Sequence, residues 1–98
     1  MTAVDLLLAY DIDTTTSKGR RRLRLVAKLC EGHGQRVQFS VFELVMNDRD
    51  YPKLLESLDR LLDSSDNVRI YRLSAGALDS VTVLGTPTNL AHRDAWVL

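Results

Sequence analysis

Residues 4–12 read VDLLLAYDI, a run that is apolar almost throughout and ends in acidic and hydroxyl residues. It is far short of the roughly 18 to 20 apolar residues that cross a bilayer. Its composition is that of a central strand covered on at least one face. A chain that begins this way must bring other elements to cover the strand. The remaining residues show which elements those are.

The stretch after it, DTTTSKG at residues 13–19, has turn composition and no hydrophobic period, so it is read as a loop. Residues 20–31 switch to helical spacing, with Leu23, Val26, Ala27 and Cys30 on one stripe and Leu25 and Leu29 extending it. Gly32 and Gly34 are expected to stop that helix. Residues 36–46, RVQFSVFELVM, are rich in β-branched and aromatic side chains and predict two short strands or one strongly bent ribbon, with no readable turn. Asn47, Asp48 and Asp50 are candidate N-caps, and Pro52 suits a first helical turn. Leu54, Leu55, Leu58, Leu61 and Leu62 then recur at helical spacing, the clearest periodic signal in the chain. After a loop at 63–67, residues 68–73 alternate as a strand.

The order is therefore βαββαβ. It predicts an α+β chain of the ferredoxin-like fold, a four-stranded antiparallel sheet with two helices on one face. Residues 1–78 are expected to form that domain. Residues 79–98, with a short strand at 81–84 and apolar Trp96, Val97 and Leu98 at the end, are expected to pack on a partner subunit. A chain of 98 residues with 45% hydrophobic content suits one modest core. Cores of this size are marginal, and association of two copies stabilises them.

Lys and Arg total 13 and so do Asp and Glu, but the balance is uneven along the chain. Lys18, Arg20, Arg21, Arg22, Arg24, Lys28 and Arg36 face only Glu31, whereas acids dominate from Glu43 to Asp66. A basic face and an acidic face follow, the first a candidate phosphate surface. The one cysteine, Cys30, lies on the helical stripe and is read as a packing residue. His33 and His92 have no metal-ligand or triad spacing, and no phosphate-cradling glycine motif occurs. The acidic Asp5 before the apolar run and the lack of a basic leader argue against a secretory signal, and a cytoplasmic location without a membrane span is expected.

Three segments, AYDI at residues 9–12, GRRRLRLVAKLC at 19–30 and GQRVQFSVFE at 34–43, together resemble the small CRISPR-associated family called Cas-two. The likeness covers about residues 4–73 in order. It implies a symmetric homodimer whose C-terminal strands add to the partner's sheet. It implies association with the Cas-one integrase subunit and a grip on DNA bound for the CRISPR array. It also implies a Mg²⁺- or Mn²⁺-dependent endonuclease activity on RNA or duplex DNA, described for some members and dispensable in others.

On this reading Asp11 is the candidate catalytic and metal residue. It ends the first strand, where two copies related by a dyad could share one ion, and few protein ligands suffice for Mg²⁺. Taken without the resemblance, Asp11 is an acid that caps a turn or pairs with a nearby arginine. Asp13 is a possible helper. Arg20, Arg21, Arg22 and Arg24, with Lys18 and Arg36, are the candidate nucleic-acid contacts, because the guanidinium fork matches phosphate oxygens. At 100° per residue the four helical arginines cannot all face one way. Tyr10 points away from Asp11 and, like Phe42, is expected to pack. The competing class is an unrelated ferredoxin-like RNA-binding or small-ligand regulatory module, against which stands the lack of paired aromatics on the ribbon.

Overall fold

A computed structural model describes residues 2–85. Its order is β1 (Ala3–Asp11), α1 (Ser17–Glu31), β2 (Gly34–Gln38), β3 (Val41–Asn47), α2 (Tyr51–Leu61) and β4 (Asn67–Leu73). The four strands form one sheet in the order β2-β3-β1-β4, and every neighbouring pair is antiparallel. The expected ferredoxin-like βαββαβ fold is the fold of the chain.

The apolar opening run is the centre of the sheet because it alternates in register with both neighbours. Leu8 lies opposite Phe42 on β3 and Ile70 on β4, and Leu6 opposite Leu44 and Arg72. Val4, Leu6, Leu8 and Tyr10 point to the face that the helices cover. There they meet Val26, Ala27 and Cys30 of α1 and Leu54 and Leu58 of α2. Leu6, Leu8, Phe42 and Leu44 are fully buried, each worth roughly 1.5–3 kcal/mol relative to exposure. The Cys30 thiol is also fully enclosed. That burial pushes it up to about 11, so the thiol packs and does not react.

The first helix starts earlier than its hydrophobic period shows. Thr16 is extended and accepts the Gly19 N–H on its hydroxyl at 3.1 Å, so Lys18 and Gly19 belong to the helix and not to the loop. Gly34 has a different role from helix ending: it is a strand residue, and a Cβ there would collide with the Glu43 carbonyl oxygen of β3. Before α2, Asn47 is the engaged member of the three cap candidates, its side chain accepting from the Arg49 and Asp50 N–H groups. Asp50 makes no cap bond.

The face away from the helices carries Asp5, Leu7, Ala9 and Asp11 of β1 between Val45 and Glu43 on one side and Tyr71 and Arg69 on the other. Gly76, with φ of 82°, turns the chain out of β4 into a short 3-10 turn, Ala77–Ser80. The Leu78 N–H donates to the Asp5 carboxylate at 2.9 Å, which buries Asp5 to 3% exposure. The strand expected at 81–84 does not form in the single chain, where these residues have no sheet neighbour and stand exposed. A strand requires another strand to exchange hydrogen bonds with. The tail to which partner packing is assigned, 86–98 with Trp96, Val97 and Leu98, lies outside the described residues.

Candidate metal and phosphate site

Asp11 ends β1 opposite Asn67, the first residue of β4, and is exposed on the face away from the helices. Both of its neighbours are anchored. Tyr10 is buried and donates its hydroxyl to the Phe39 carbonyl at 3.0 Å, and Ile12 is buried at the edge of the core. No side-chain hydrogen bond or ion pair engages Asp11 among the described residues. Its carboxylate oxygens are therefore free to meet a cation.

Asp13 differs. Its carboxylate accepts the Thr15 N–H at 3.0 Å and the Thr15 hydroxyl at 2.6 Å, and these bonds hold its pKa below the usual carboxylate value. It caps its own loop through Oδ1. Among the described residues no three His, Cys, Asp or Glu side chains gather as a metal cage. At the exit of β1 the described residues offer a divalent ion one free, water-facing carboxylate. That donor fits Mg²⁺ or Mn²⁺ retaining several waters, with further oxygen ligands from substrate or a second copy.

The arginines separate into distinct roles. Arg22 is turned to an ion pair: its Nε and Nη2 donate to the two oxygens of Asp66 at 2.6 and 3.2 Å, and its side chain is 18% exposed. Arg20 reaches back to the Thr14 carbonyl at 3.2 Å. Arg21 and Arg24 remain exposed, with no ion pair among the described residues, and Lys18 and Lys28 are exposed on the same helix. Arg21, Arg24 and Lys28 recur at i, i+3 and i+7, one stripe turned away from the core. Arg36 is half-buried on β2 with its guanidinium carbon 5.2 Å from the Phe42 ring centroid, and its Nε is enclosed without a hydrogen-bond partner. It covers the core edge and stands apart from the α1 stripe.

The electrostatics of α1 run against helix stability. Its first turn contains no acid, and its cations crowd the end where the helix dipole is already positive. Such a terminus is stabilised by an anion. α2 is the contrast: Lys53 pairs with Asp50 at the N-cap, and Arg60 with Glu56 within the helix.

Asp66 is the residue that sequence reading missed, placed there merely among the acids of the second half. Its side chain has no exposed surface. Besides Arg22 it accepts the Asp13 N–H at 3.0 Å and the Asp63 N–H at 2.9 Å. The Arg22 guanidinium, opposed by burial and helped by those two N–H bonds, holds its pKa down to about 2. No local pattern announces this role, because Arg22 is 44 residues away in the chain.

The fold and the site define a ferredoxin-like α+β domain with an exposed acid at the end of its first strand and a cation-rich first helix. Residues 4–81 match the family described as CRISPR associated protein Cas2. A CRISPR-associated endoribonuclease Cas2 of Moorella thermoacetica is 46% identical over 69 residues, which are 69% of this chain and 72% of the relative. A CRISPR-associated endonuclease Cas2 of Halalkalibacterium halodurans is 38% identical over 90 residues, 91% of this chain and 94% of the relative. The crystal structure of Streptococcus pyogenes Cas2 superposes with a TM-score of 0.72 at 40% identity, covering 83% of this chain and 99% of that one. The chain belongs to the CRISPR associated protein Cas2 family. The alternative of an unrelated ferredoxin-like regulatory or RNA-binding module falls with that membership.

Proposed function

We propose that this chain acts in CRISPR spacer acquisition as a cytoplasmic homodimer that grips nucleic-acid backbone and serves as a scaffold for the Cas-one integrase. The observation that carries the reading is the exposed stripe of α1, where Arg21 and Arg24 have no acidic partner among the described residues and extend a cationic helix start. Backbone recognition needs no more than this, since phosphates repeat along any sequence and arginine forks match them. The apolar side chains exposed on and beyond the open sheet face support a second copy as its cover. Val45, Tyr71, Val81, Val83 and Leu84 are all exposed in the single chain. Among the described residues no helix is long and apolar enough to cross a membrane.

A second activity rests on Asp11. The relatives named endoribonuclease and endonuclease cleave phosphodiesters by name, and here Asp11 is the carboxylate left unengaged by its neighbours. A divalent ion held there supplies Lewis acidity toward a phosphate and a more acidic water. The chain's own part is to hold the carboxylate at a fixed point at the end of β1.

Equilibrium binding of a duplex of arbitrary sequence at several salt concentrations tests the scaffold reading. Affinity falls steeply with salt, as counterion release requires. Binding that ignores salt, or that survives Arg21→Ala with Arg24→Ala unaltered, contradicts it. Cleavage assays with Mg²⁺ and Mn²⁺ test the second activity, which Asp11→Ala abolishes.

A further inference from the structure

Asp11 sits on the last rung of the β1–β4 ladder, paired with Asn67. Ends of ladders open most easily, because the final rung has support on one side only. Here the chain is tied again immediately past that rung. Asp66, next to Asn67, accepts the N–H of Asp13, two residues beyond Asp11. The same carboxylate accepts the Asp63 N–H near the start of the α2–β4 loop and the forked donors of Arg22 on α1. One buried side chain thereby joins the exit of β1, the entry to β4 and the second turn of α1.

A second contact makes the junction rigid. Gly19 of α1 packs so closely on the Asp13 carbonyl that a Cβ would collide with it. The backbone of Asp13 is held from α1 on one side and from Asp66 on the other. Asp11, two residues before, has no side-chain hydrogen bond or ion pair of its own among the described residues to fix it, so its position is inherited from these neighbours.

We propose that Asp66 is a positioning residue for Asp11: it closes the end of the β1–β4 ladder so that the rim carboxylate is presented in one place to a divalent cation. This rests on the reading of Asp11 as the cation-binding carboxylate. Groups that orient metal ligands without touching the metal typically change affinity by about 10- to 100-fold when removed, and a ligand must be held to about 0.5 Å.

The test titrates the full-length protein with Mn²⁺ alone, alongside amide hydrogen exchange, thermal unfolding and the salt dependence of duplex binding. Asp66→Asn speeds exchange of the Asp13 amide and lowers Mn²⁺ affinity by about tenfold. It leaves the salt dependence set by Arg21 and Arg24 in place, a separation that general loosening of the fold does not produce. Arg22→Lys keeps the carboxylate and its two backbone bonds but replaces the planar fork by one ammonium nitrogen, and lowers Mn²⁺ affinity roughly two- to threefold; it carries the test if Asp66→Asn fails to fold. Wild-type Mn²⁺ affinity in either variant while Asp13 exchange accelerates overturns the proposal, as does parallel loss of Mn²⁺ and duplex binding. Asp11→Ala is the separate arm. If it binds Mn²⁺ as the wild type does, the reading of Asp11 fails and the inference falls with it, whereas loss of Mn²⁺ there beside an indifferent Asp66→Asn condemns the inference alone.

Discussion

Two carboxylates beside the exit of β1 show how hydrogen-bond partners decide what an acid does. Asp11 is exposed and unengaged, while Asp66 is enclosed with a bidentate arginine and two backbone N–H groups. The folded pKa of Asp66 lies near 2 against an ordinary 3.8. A carboxyl with a depressed folded pKa contributes stability that is complete above its unfolded pKa and lost as pH falls through the folded one. Acid titration followed by circular dichroism is therefore expected to show stability declining between about pH 4 and 2, with the Asp13 carboxylate, also depressed, acting in the same direction. Asp66→Asn flattens that decline, and an unchanged acid limb in the variant counts against Asp66 as its source. Gly19 supports a second prediction at this scale. Gly19→Ala forces a methyl against the Asp13 backbone, which cannot move without pulling on Asp66. Urea denaturation should show a loss of about 1–3 kcal/mol, despite alanine's better helix propensity.

At the scale of the element, α1 sorts its cations by helical angle, and that sorting can be measured. Arg21→Ala with Arg24→Ala removes two phosphate contacts, so the slope of log affinity against log salt becomes shallower by roughly 1.8, at about 0.9 per phosphate on duplex DNA. Arg22→Ala leaves the slope nearly unaltered and instead lowers the unfolding midpoint, since it strands the buried Asp66. The reverse pattern would return Arg22 to the phosphate face. The sequence made the helices legible because leucine spacing reports a buried stripe directly: Leu54 and Leu58 are buried where the period places them. It did not reveal where residues 36–46 turn. Phe39 and Ser40 make that turn with no glycine or left-handed residue, so nothing in their composition announces it. It is held from outside, with Tyr10 donating its N–H to the Ser40 carbonyl and its hydroxyl to the Phe39 carbonyl. The site divides in the same way. Asp11 was visible as the acid ending an apolar strand, whereas the pairing of Arg22 with Asp66 depends on topology that no local window contains.

For the whole molecule, the question is what covers the sheet face opposite the helices. One element already crosses it: the 3-10 turn Ala77–Ser80, pinned where Leu78 donates to the buried Asp5. A carboxylate in the middle of a central strand is costly to bury unless it is hydrogen-bonded. Here the bond fixes the direction in which residues 81–85 leave the domain. Those residues carry Val81, Val83 and Leu84, the last 89% exposed, which disfavours a lone chain in water and suits a strand laid on a second copy. Asp5→Ala removes the acceptor and frees the turn. The cost to chain stability is about 1–2 kcal/mol, because the Leu78 N–H is only half-buried and can turn to water. Self-association responds more strongly, since an untethered segment must be ordered again on binding, at about 1–2 kcal/mol per backbone residue fixed. Sedimentation equilibrium on wild type and Asp5→Ala at matched concentration should therefore show the variant shifted toward single chains by tenfold or more in dissociation constant, about 1.4 kcal/mol. Equal association of the two would mean that the path set by Asp5 does not lead into the proposed contact between copies, and the open face would need a different cover.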